Sequence, residues 1–401
     1  MQKQAGSIML VAGTAIGSGM IALPMLIAKI GIIPGIFLML VNWWIVYHTA
    51  LVNVELNLQA GEGSTLGNLG RKFSGKVAEV IGTGSFKILS YSLLSAYVYG
   101  GSSVLQKLLQ HSFNQEFEFF PIATIYAFIS ILLLIMPLKL MSYVNKILFI
   151  SLITIVAVLV IGLLATINPS NLPLFSDNYK EISIWHEVIP VMFTSFGFQV
   201  IFHTLTNFCD KDAKVLKKVF FWGSLIPAII YIIWVSSILG AIYQENNSFF
   251  QEMIAGKVEI GDLVKELSNI SRWPFIQTLV WWLSLLAVVT SVLGVGLGLC
   301  DSIKEMFPTK LNNNILSNVL AATITIMPAY VIAILVPNAF ISVLGFAGMI
   351  LVVIAILLPI YLLLQIQTKN FYYPELKNKY MIYFSFVMGL IIIGCEIFNM
   401  F

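Results

Sequence analysis

Residues 11–20 read Val11-Ala12-Gly13-Thr14-Ala15-Ile16-Gly17-Ser18-Gly19-Met20 and lie inside an apolar segment, Ile8 to Ile30, that is long enough to cross a bilayer. Three glycines, two hydroxyl residues and the following Pro24 disfavour a continuous helix, because each interior glycine costs about 1 kcal/mol relative to alanine. Backbone unwound at membrane depth needs protein, a ligand or an ion as its partner. The run therefore predicts a broken membrane helix of the kind that forms transporter binding sites. The alternative is a glycine-rich helix packed closely on a neighbour.

Composition places the chain among membrane proteins. Of its 401 residues, 59% are hydrophobic and only 10% are charged, whereas soluble domains carry about 25% charged residues. We therefore expect one all-α polytopic domain over residues 1–401, surrounded by lipid and without a soluble domain. The net charge of +3 comes from short loops and does not indicate nucleic-acid binding. The three cysteines are scattered, so neither a disulfide framework nor a metal site is expected, and no cofactor is predicted. The oligomeric state stays open.

Eleven apolar runs are long enough to span the hydrocarbon layer. They cover about 6–29, 32–58, 77–109, 121–138, 143–167, 187–208, 218–243, 273–301, 316–337, 339–366 and 380–400. The longest connection, 244–271, mixes charged and apolar residues and predicts one or two short surface helices. Glu55 and Asp301 fall near the cytoplasmic ends of spans 2 and 8, where each can pair with a lysine or arginine.

The positions of lysine and arginine predict the topology. If the N-terminus is cytoplasmic, 16 of the 22 basic residues fall in inside loops and 6 fall in outside loops. This distribution follows the positive-inside rule, and one missed span would have inverted it downstream. We therefore expect a cytoplasmic N-terminus, an outside C-terminus, and a first span that is retained and not cleaved as a signal peptide.

A second interruption occurs five spans after the first. Span 6 contains Met192-Phe193-Thr194-Ser195-Phe196-Gly197-Phe198-Gln199, in which a hydroxyl pair and a glycine again break an apolar helix. Because five is odd, the second half of the chain enters the membrane in the opposite orientation. The pattern predicts inverted repeats at about 6–167 and 187–366, with an extra span at about 380–400. Paired interruptions at equivalent positions of two such halves point to a transporter site.

The two breaks together suit an α-amino acid. The half-helix that begins near Gly17, Ser18 and Gly19 presents free N–H groups to a carboxylate, and carbonyls near Phe193 and Thr194 face an ammonium group. We expect the substrate side chain near Phe196 and Phe198, with Tyr97 and Tyr99 opposite and space left by Gly100 and Gly101. The predicted binding residues are Gly13, Thr14, Ala15, Gly17, Ser18, Gly19, Tyr97, Phe193, Thr194, Ser195, Phe196, Gly197 and Phe198.

Four motifs resemble the hydroxy and aromatic amino acid permease family, most closely its tyrosine-specific branch. They are VAGTAIGSGMIALP at Val11–Pro24, SAYVYGG at Ser95–Gly101, FTSFGF at Phe193–Phe198 and TSVLGVGLGLCD at Thr290–Asp301. The resemblance implies the five-plus-five inverted-repeat fold of neurotransmitter symporters, with broken helices 1 and 6 and an eleventh span. It also implies a bacterial cytoplasmic (inner) membrane and ion-driven uptake of an aromatic L-amino acid, with tyrosine first and tryptophan, phenylalanine or a hydroxy amino acid as alternatives.

The coupling ion is left open between a proton and sodium. The family resemblance favours a proton, but Leu152 stands where we expect the proton-coupled tyrosine branch to carry a buried lysine. Span 8 instead carries Ala287-x-x-Thr290-Ser291, which is similar to the pattern of sodium symporters of this fold. With carbonyls of Gly13 and Ile16, these residues would offer five oxygens to a small hard cation. The alternative is that both hydroxyls bond back to their own helix.

Two other classes of protein fit the sequence less well. An intramembrane enzyme would need a catalytic set on facing spans, and the chain contains only four histidines and no such motif. A channel would not need two paired breaks. Gln199 and His203 share a helix face after the second break. A buried histidine there either relays protons or makes an ordinary hydrogen-bonded helix contact.

Overall fold

The computed structural model describes residues 2–17, 19–136, 138–164, 167–270, 274–304, 306–307, 315–336, 339–366 and 370–400, which form helices joined by loops and turns. No strand occurs in these ranges, which confirms the all-α prediction. The α-helices are α1 (Gln2–Ala15), α2 (Gly19–Ile30), α3 (Ile32–Ala60), α4 (Leu66–Ser74), α5 (Lys76–Phe113), α6 (Phe119–Ile135), α7 (Leu138–Leu164), α8 (Ile182–Ser195), α9 (Phe202–Phe208), α10 (Ala213–Glu245), α11 (Asn247–Ile254), α12 (Ile260–Ile270), α13 (Pro274–Lys304), α14 (Ile315–Leu335), α15 (Ala339–Val352), α16 (Leu358–Gln365) and α17 (Lys379–Met400).

Six helices are long and apolar enough to cross a membrane, and the bent pair α1–α2 makes a seventh span if it is counted as one. This number confirms a polytopic membrane protein. The other predicted spans are less clear by length and apolarity alone. Helix α5 is 38 residues long but more polar, α6 has only 17 residues, and the predicted span 6 is divided between α8 and α9. The count of eleven spans therefore stays a prediction.

The first predicted break separates α1 from α2. Helix α1 ends at Ala15, α2 begins at Gly19, and the two helices are bent by 54° relative to each other. The N–H of Met20 donates to the carbonyl oxygen of Gly17 at 3.1 Å. Ser18 lies outside the described residues. Every residue of α2 is buried, including Lys29 near its end, so the second half of this segment runs through the interior of the protein.

The second predicted break follows Ser195. The backbone leaves the helix over residues 196–198, makes one 3₁₀ turn at Gln199–Ile201, and resumes as the short α9. At the end of α8, the N–H of Phe196 donates to the Phe193 carbonyl at 3.1 Å, and the N–H of Gly197 donates to the Thr194 carbonyl at 2.9 Å. These tight bonds close the helix end and stop its continuation.

The interrupted segments lie at the centre of the helical assembly. Helix α2 packs on α8, and α10 contacts α1, α2 and α3. Helix α5 packs on α13, α14 and α15, and α15 also contacts α8. The two breaks are therefore enclosed by α5, α10, α13 and α15, which places them away from lipid.

Two short helices connect α10 and α13, as the sequence predicts. They are α11 and α12, and α12 buries Leu263, Val264 and Leu267 against its neighbours. Helix α12 packs on α5, α10 and α13, so this connection covers one end of the assembly.

A loop before α17 is fastened to α3 and α10. The Glu55 carboxylate accepts the N–H groups of Tyr372 and Tyr373, each at 3.1 Å, and the side-chain amide of Gln59 at 2.7 Å, so its described partners are amides and not a lysine or arginine. Glu375 in the same loop forms an ion pair with Lys217 of α10, and this hydrogen-bonded contact lowers the pKa of the Glu375 carboxyl group. Asp301 lies 4.0 Å from Lys304, so the pairing suggested for that residue is present.

Candidate functional site

A tyrosine on α10 joins the two breaks. The Tyr231 hydroxyl donates to the carbonyl oxygen of Ala15 at 2.7 Å and lies 3.1 Å from the carbonyl oxygen of Ser195. These carbonyls end α1 and α8, where no further turn of helix can supply a donor. Tyr231 is 0% exposed, so the shared hydrogen bond is fully buried. Trp234, one turn further along α10, donates from Nε1 to the Met20 carbonyl at 2.7 Å.

The glycines of the first break are needed for close approach as well as for unwinding. A Cβ atom on Gly19 would lie 2.6 Å from Ser195 Cβ and 2.9 Å from the Tyr231 hydroxyl oxygen. A Cβ atom on Gly17 would lie 2.6 Å from Ser291 Oγ on α13, and one on Gly13 would lie 2.8 Å from the Phe149 ring. The sequence allowed two explanations of these glycines, a broken helix and tight packing on a neighbour. Both therefore apply to the same residues.

A small cavity of about 40 Å³ lies between the two breaks and α5, and we name it the central cavity. The wall of the central cavity consists of Thr14, Ala15, Gly17, Gly19, Leu89, Leu93, Tyr97, Thr194, Ser195, Gly197, Gln199, Val295 and Leu351. Both predicted breaks thus contribute to one cavity.

Eight of the predicted binding residues are in this wall. They are Thr14, Ala15, Gly17, Gly19, Tyr97, Thr194, Ser195 and Gly197. The wall residues that the sequence reasoning missed are Leu89, Leu93, Gln199, Val295 and Leu351. Four of these are aliphatic residues in apolar helices, and no local signal separates them from lipid-facing or core positions. Gln199 was visible as a polar residue beside the second break.

The predicted aromatic residues contact the protein itself. Phe193, Phe196 and Phe198 are each 0% exposed and are not in the wall of the central cavity. The Phe196 ring packs edge-on against Tyr231 with centroids 5.6 Å apart, and Phe198 stacks on Phe220 at 6.0 Å. Their contact with a substrate stays a prediction.

The space expected beside Gly100 and Gly101 is filled by the protein's own rings. A Cβ atom on Gly100 would lie 2.9 Å from the Phe340 ring, and one on Gly101 would lie 2.3 Å from the Tyr126 ring. These two glycines therefore admit neighbouring helices and not a bulky ligand. Tyr99 turns away to donate a hydrogen bond to Glu259 at 3.2 Å.

The hydroxyls of the predicted ion site donate to their own helix. Thr290 Oγ1 donates to the Leu286 carbonyl at 2.8 Å, and Ser291 Oγ donates to the Ala287 carbonyl at 2.7 Å. Each hydroxyl still has two lone pairs with which to accept a hydrogen bond or coordinate a cation. Ser291 faces Gly17, so α13 does reach the first break.

Two further residues bear on the predicted coupling ion, Leu152 and His203. Leu152 of α7, which stands where the family resemblance implies a lysine, is 0% exposed. The side chain of His203 lies outside the described residues. Within the described part of the chain, no cluster of three His, Cys, Asp or Glu residues is arranged to hold a metal.

On the side of the first break opposite the central cavity, the helices are closely packed. Only a small apolar cavity of about 10 Å³ was found there, among α2, α10, α12 and α13 of the described residues. Lys29 of α2 and Glu187 of α8 form an ion pair at 2.5 Å, and Lys107 of α5 and Asp262 of α12 form another at 2.8 Å. These contacts hold α2, α8, α5 and α12 together above the break.

Comparison with known proteins identifies the family. The tryptophan/tyrosine permease family matches residues 1–396, which is nearly the whole chain. The chain belongs to the tryptophan/tyrosine permease family. The permease is 32% identical to tyrosine-specific transport system 1 of Haemophilus influenzae, over 90% of this chain and 87% of that protein. It is 27% identical to the tryptophan-specific transport protein of Pseudomonas aeruginosa, over 88% and 84% of the two chains.

A third relative is named for a different amino acid. The permease is 25% identical to glutamine transporter 2 of Aliivibrio fischeri, over 92% of this chain and 90% of that protein. Membership of a permease family and relatives named as transporters confirm that the protein is a transporter and not an enzyme. The family resemblance inferred from the four sequence motifs is confirmed as well.

Proposed function

We propose that this permease is a secondary active transporter that imports an aromatic L-amino acid, tyrosine first, across a bacterial cytoplasmic membrane by symport with a cation. The observation that carries the proposal is the central cavity, in which two interrupted helices meet and are joined by Tyr231. Interrupted helices at the middle of a bundle are the usual site of substrate and ion in such transporters. The tyrosine- and tryptophan-specific relatives support the substrate class.

The fold proposed with this function has eleven spans and two inverted repeats. The repeats cover about residues 6–167 and 187–366, with broken spans 1 and 6 in equivalent positions and an added span at 380–400. A cytoplasmic N-terminus and an outside C-terminus follow from the loop charges. The helix boundaries support this arrangement, since each predicted span overlaps one helix or one pair of helices.

The central cavity suits a zwitterion at the breaks. The N-terminus of α2 carries the positive end of its dipole, which favours a carboxylate, and the C-terminus of α8 carries a negative end, which favours an ammonium group. The carbonyls of Phe193, Thr194 and Ser195 each accept one bond within the protein. Each retains a second lone pair for a ligand. The apolar wall at Leu89 and Leu93 then accommodates the substrate's ring.

We infer from the predicted topology that the central cavity lies toward the cytoplasmic side of the breaks. The wall of the central cavity extends to Leu89 and Leu93, in the half of α5 that follows the predicted inside loop. The opposite side is closed by α12 and by the Lys29–Glu187 pair. Alternating access would require these outer contacts to separate while the cavity closes from inside.

Transport is tested with purified permease in sealed vesicles. We expect accumulation of labelled tyrosine, and of tryptophan or phenylalanine to a lesser degree, only when an inward cation gradient is imposed. Glutamine serves as the comparison substrate because a relative carries that name. Equal accumulation with and without any gradient, or ion flux without solute uptake, would contradict symport.

The same vesicle experiment also identifies the coupling ion. We propose a proton as the first choice, with sodium at Gly13, Ile16, Ala287, Thr290 and Ser291 as the alternative. A sodium site would make tyrosine affinity rise with sodium concentration at fixed pH, because ion and substrate would stabilise the same broken helix. The double substitution of Thr290→Ala and Ser291→Ala should then remove the sodium dependence more than it weakens substrate binding. Uptake driven by a pH gradient in sodium-free vesicles would contradict the sodium site.

A further inference from the structure

One side chain in the wall of the central cavity has an unused hydrogen-bond donor. Gln199 is 7% exposed, and its Oε1 accepts the N–H of Phe198 at 2.7 Å. Only the oxygen of a side-chain amide can accept from an N–H group, so this bond assigns the positions of Oε1 and Nε2 in Gln199. The Nε2 group is buried and has no hydrogen-bond partner among the residues that the structure describes. Buried donors are nearly always paired, so this group calls for an acceptor.

The other described hydroxyls of the two breaks do not offer donors in the same way. Thr14 donates to the Leu10 carbonyl at 2.8 Å, Thr194 donates to the Leu344 carbonyl at 2.8 Å, and Ser195 donates to the Val191 carbonyl at 2.9 Å. Their protons are used within the protein, whereas the amide protons of Gln199 are not. The part of the wall formed by Leu89, Leu93, Val295 and Leu351 is aliphatic.

An apolar wall with a buried N–H donor suits an aromatic ring that carries an oxygen acceptor. We propose that Gln199 Nε2 donates a hydrogen bond to the phenolic oxygen of bound tyrosine and thereby sets the preference for tyrosine over phenylalanine. This inference rests on the proposed transport of aromatic amino acids. A phenylalanine ring would leave the buried donor unpaired, and sites built around such a donor discriminate strongly against ligands that lack the acceptor.

The test compares two substrates in two proteins. Gln199→Met keeps the length of the side chain but removes the donor. Its effect on tyrosine is expected to exceed its effect on phenylalanine, so that the ratio of tyrosine to phenylalanine affinity falls about ten-fold. Gln199→His retains an N–H donor and should preserve most of the preference. Gln110→Met is the matched control, since Gln110 lies in α5 outside the cavity wall and should leave the ratio unchanged.

The comparison separates a recognition role from a structural one. If Gln199 only holds the Phe198 N–H, Gln199→Met weakens tyrosine and phenylalanine by the same factor, and that result would overturn the proposal. If the variant does not fold, 4-methylphenylalanine replaces it as the probe with the unaltered permease. This ligand has the size of tyrosine without its oxygen, and binding as tight as that of tyrosine would also overturn the proposal. Failure of the unaltered permease to take up any aromatic amino acid is a different outcome, which contradicts the transport function itself.

Discussion

Gly19→Leu is expected to reduce tyrosine uptake roughly 100-fold while the permease still inserts in the membrane. Even the first carbon of the new side chain would lie 2.6 Å from Ser195 Cβ and 2.9 Å from the Tyr231 hydroxyl oxygen. Neither neighbour can easily retreat, because Ser195 ends α8 and Tyr231 is fixed by its bonds to the two breaks. The leucine would therefore separate the half-helices that form the cavity. Uptake by vesicles is measured together with the amount of monodisperse protein in detergent.

The matched control for this change is Gly294→Leu on α13. No described atom lies within 4 Å of a Cβ atom placed on Gly294, and the residue is exposed on the surface of the helix. The same substitution there should leave uptake nearly unchanged, or raise stability slightly because leucine is the better helix former. Uptake by Gly19→Leu at the level of Gly294→Leu would show that the first break does not form the substrate site.

The positions of the breaks could be predicted because their signal is local. Glycine, proline and paired hydroxyl residues each weaken or interrupt a helix through a direct effect on its backbone. The structure places α1 and α2 on either side of Gly17, and ends α8 at Ser195, as these residues suggested. The short helices α11 and α12 were predictable for a similar reason, since residues 244–271 mix charged and apolar residues.

The partners of the breaks could not be predicted because they lie far away in sequence. Tyr231 is 216 residues from Ala15, and nothing in its own neighbourhood marks it as the residue that bridges two carbonyls. The partners of the Phe196 and Phe198 rings could not be predicted for the same reason. Their position beside the break suggested contact with a ligand, but an apolar ring packs equally well on another ring, and Tyr231 and Phe220 supply those surfaces.

A glycine pair in a membrane helix can indicate either free volume for a ligand or close packing of a neighbouring helix. Gly100 and Gly101 looked like free volume beside two tyrosines, yet Phe340 and Tyr126 occupy that volume. Small residues in membrane helices most often let neighbours approach closely. The sequence shows that space is available at such a position, and only the arrangement of the helices shows which group fills it.

Tyr231→Phe is expected to weaken tyrosine binding about ten-fold and to lower the thermal stability of the permease. The substitution keeps the ring that packs edge-on against Phe196 but removes the hydroxyl that reaches the carbonyls of Ala15 and Ser195. Loss of a donor to buried acceptors costs about 1–3 kcal/mol, and here it falls on the two helix ends that must stay together to bind a ligand. Substrate affinity and melting temperature should therefore decrease together, and added tyrosine should restore part of the lost stability.

The control is Tyr383→Phe, because Tyr383 lies on α17 and is 59% exposed. Removal of that hydroxyl should change neither affinity nor melting temperature measurably. A second comparison uses alanine, glycine and tyrosine as competing ligands of Tyr231→Phe. Since Tyr231 organises the breaks that hold the common amino acid backbone, all three should lose affinity by similar factors wherever they bind. A loss confined to tyrosine would place the Tyr231 hydroxyl at the substrate's ring and would contradict its role as the bridge between the two broken helices.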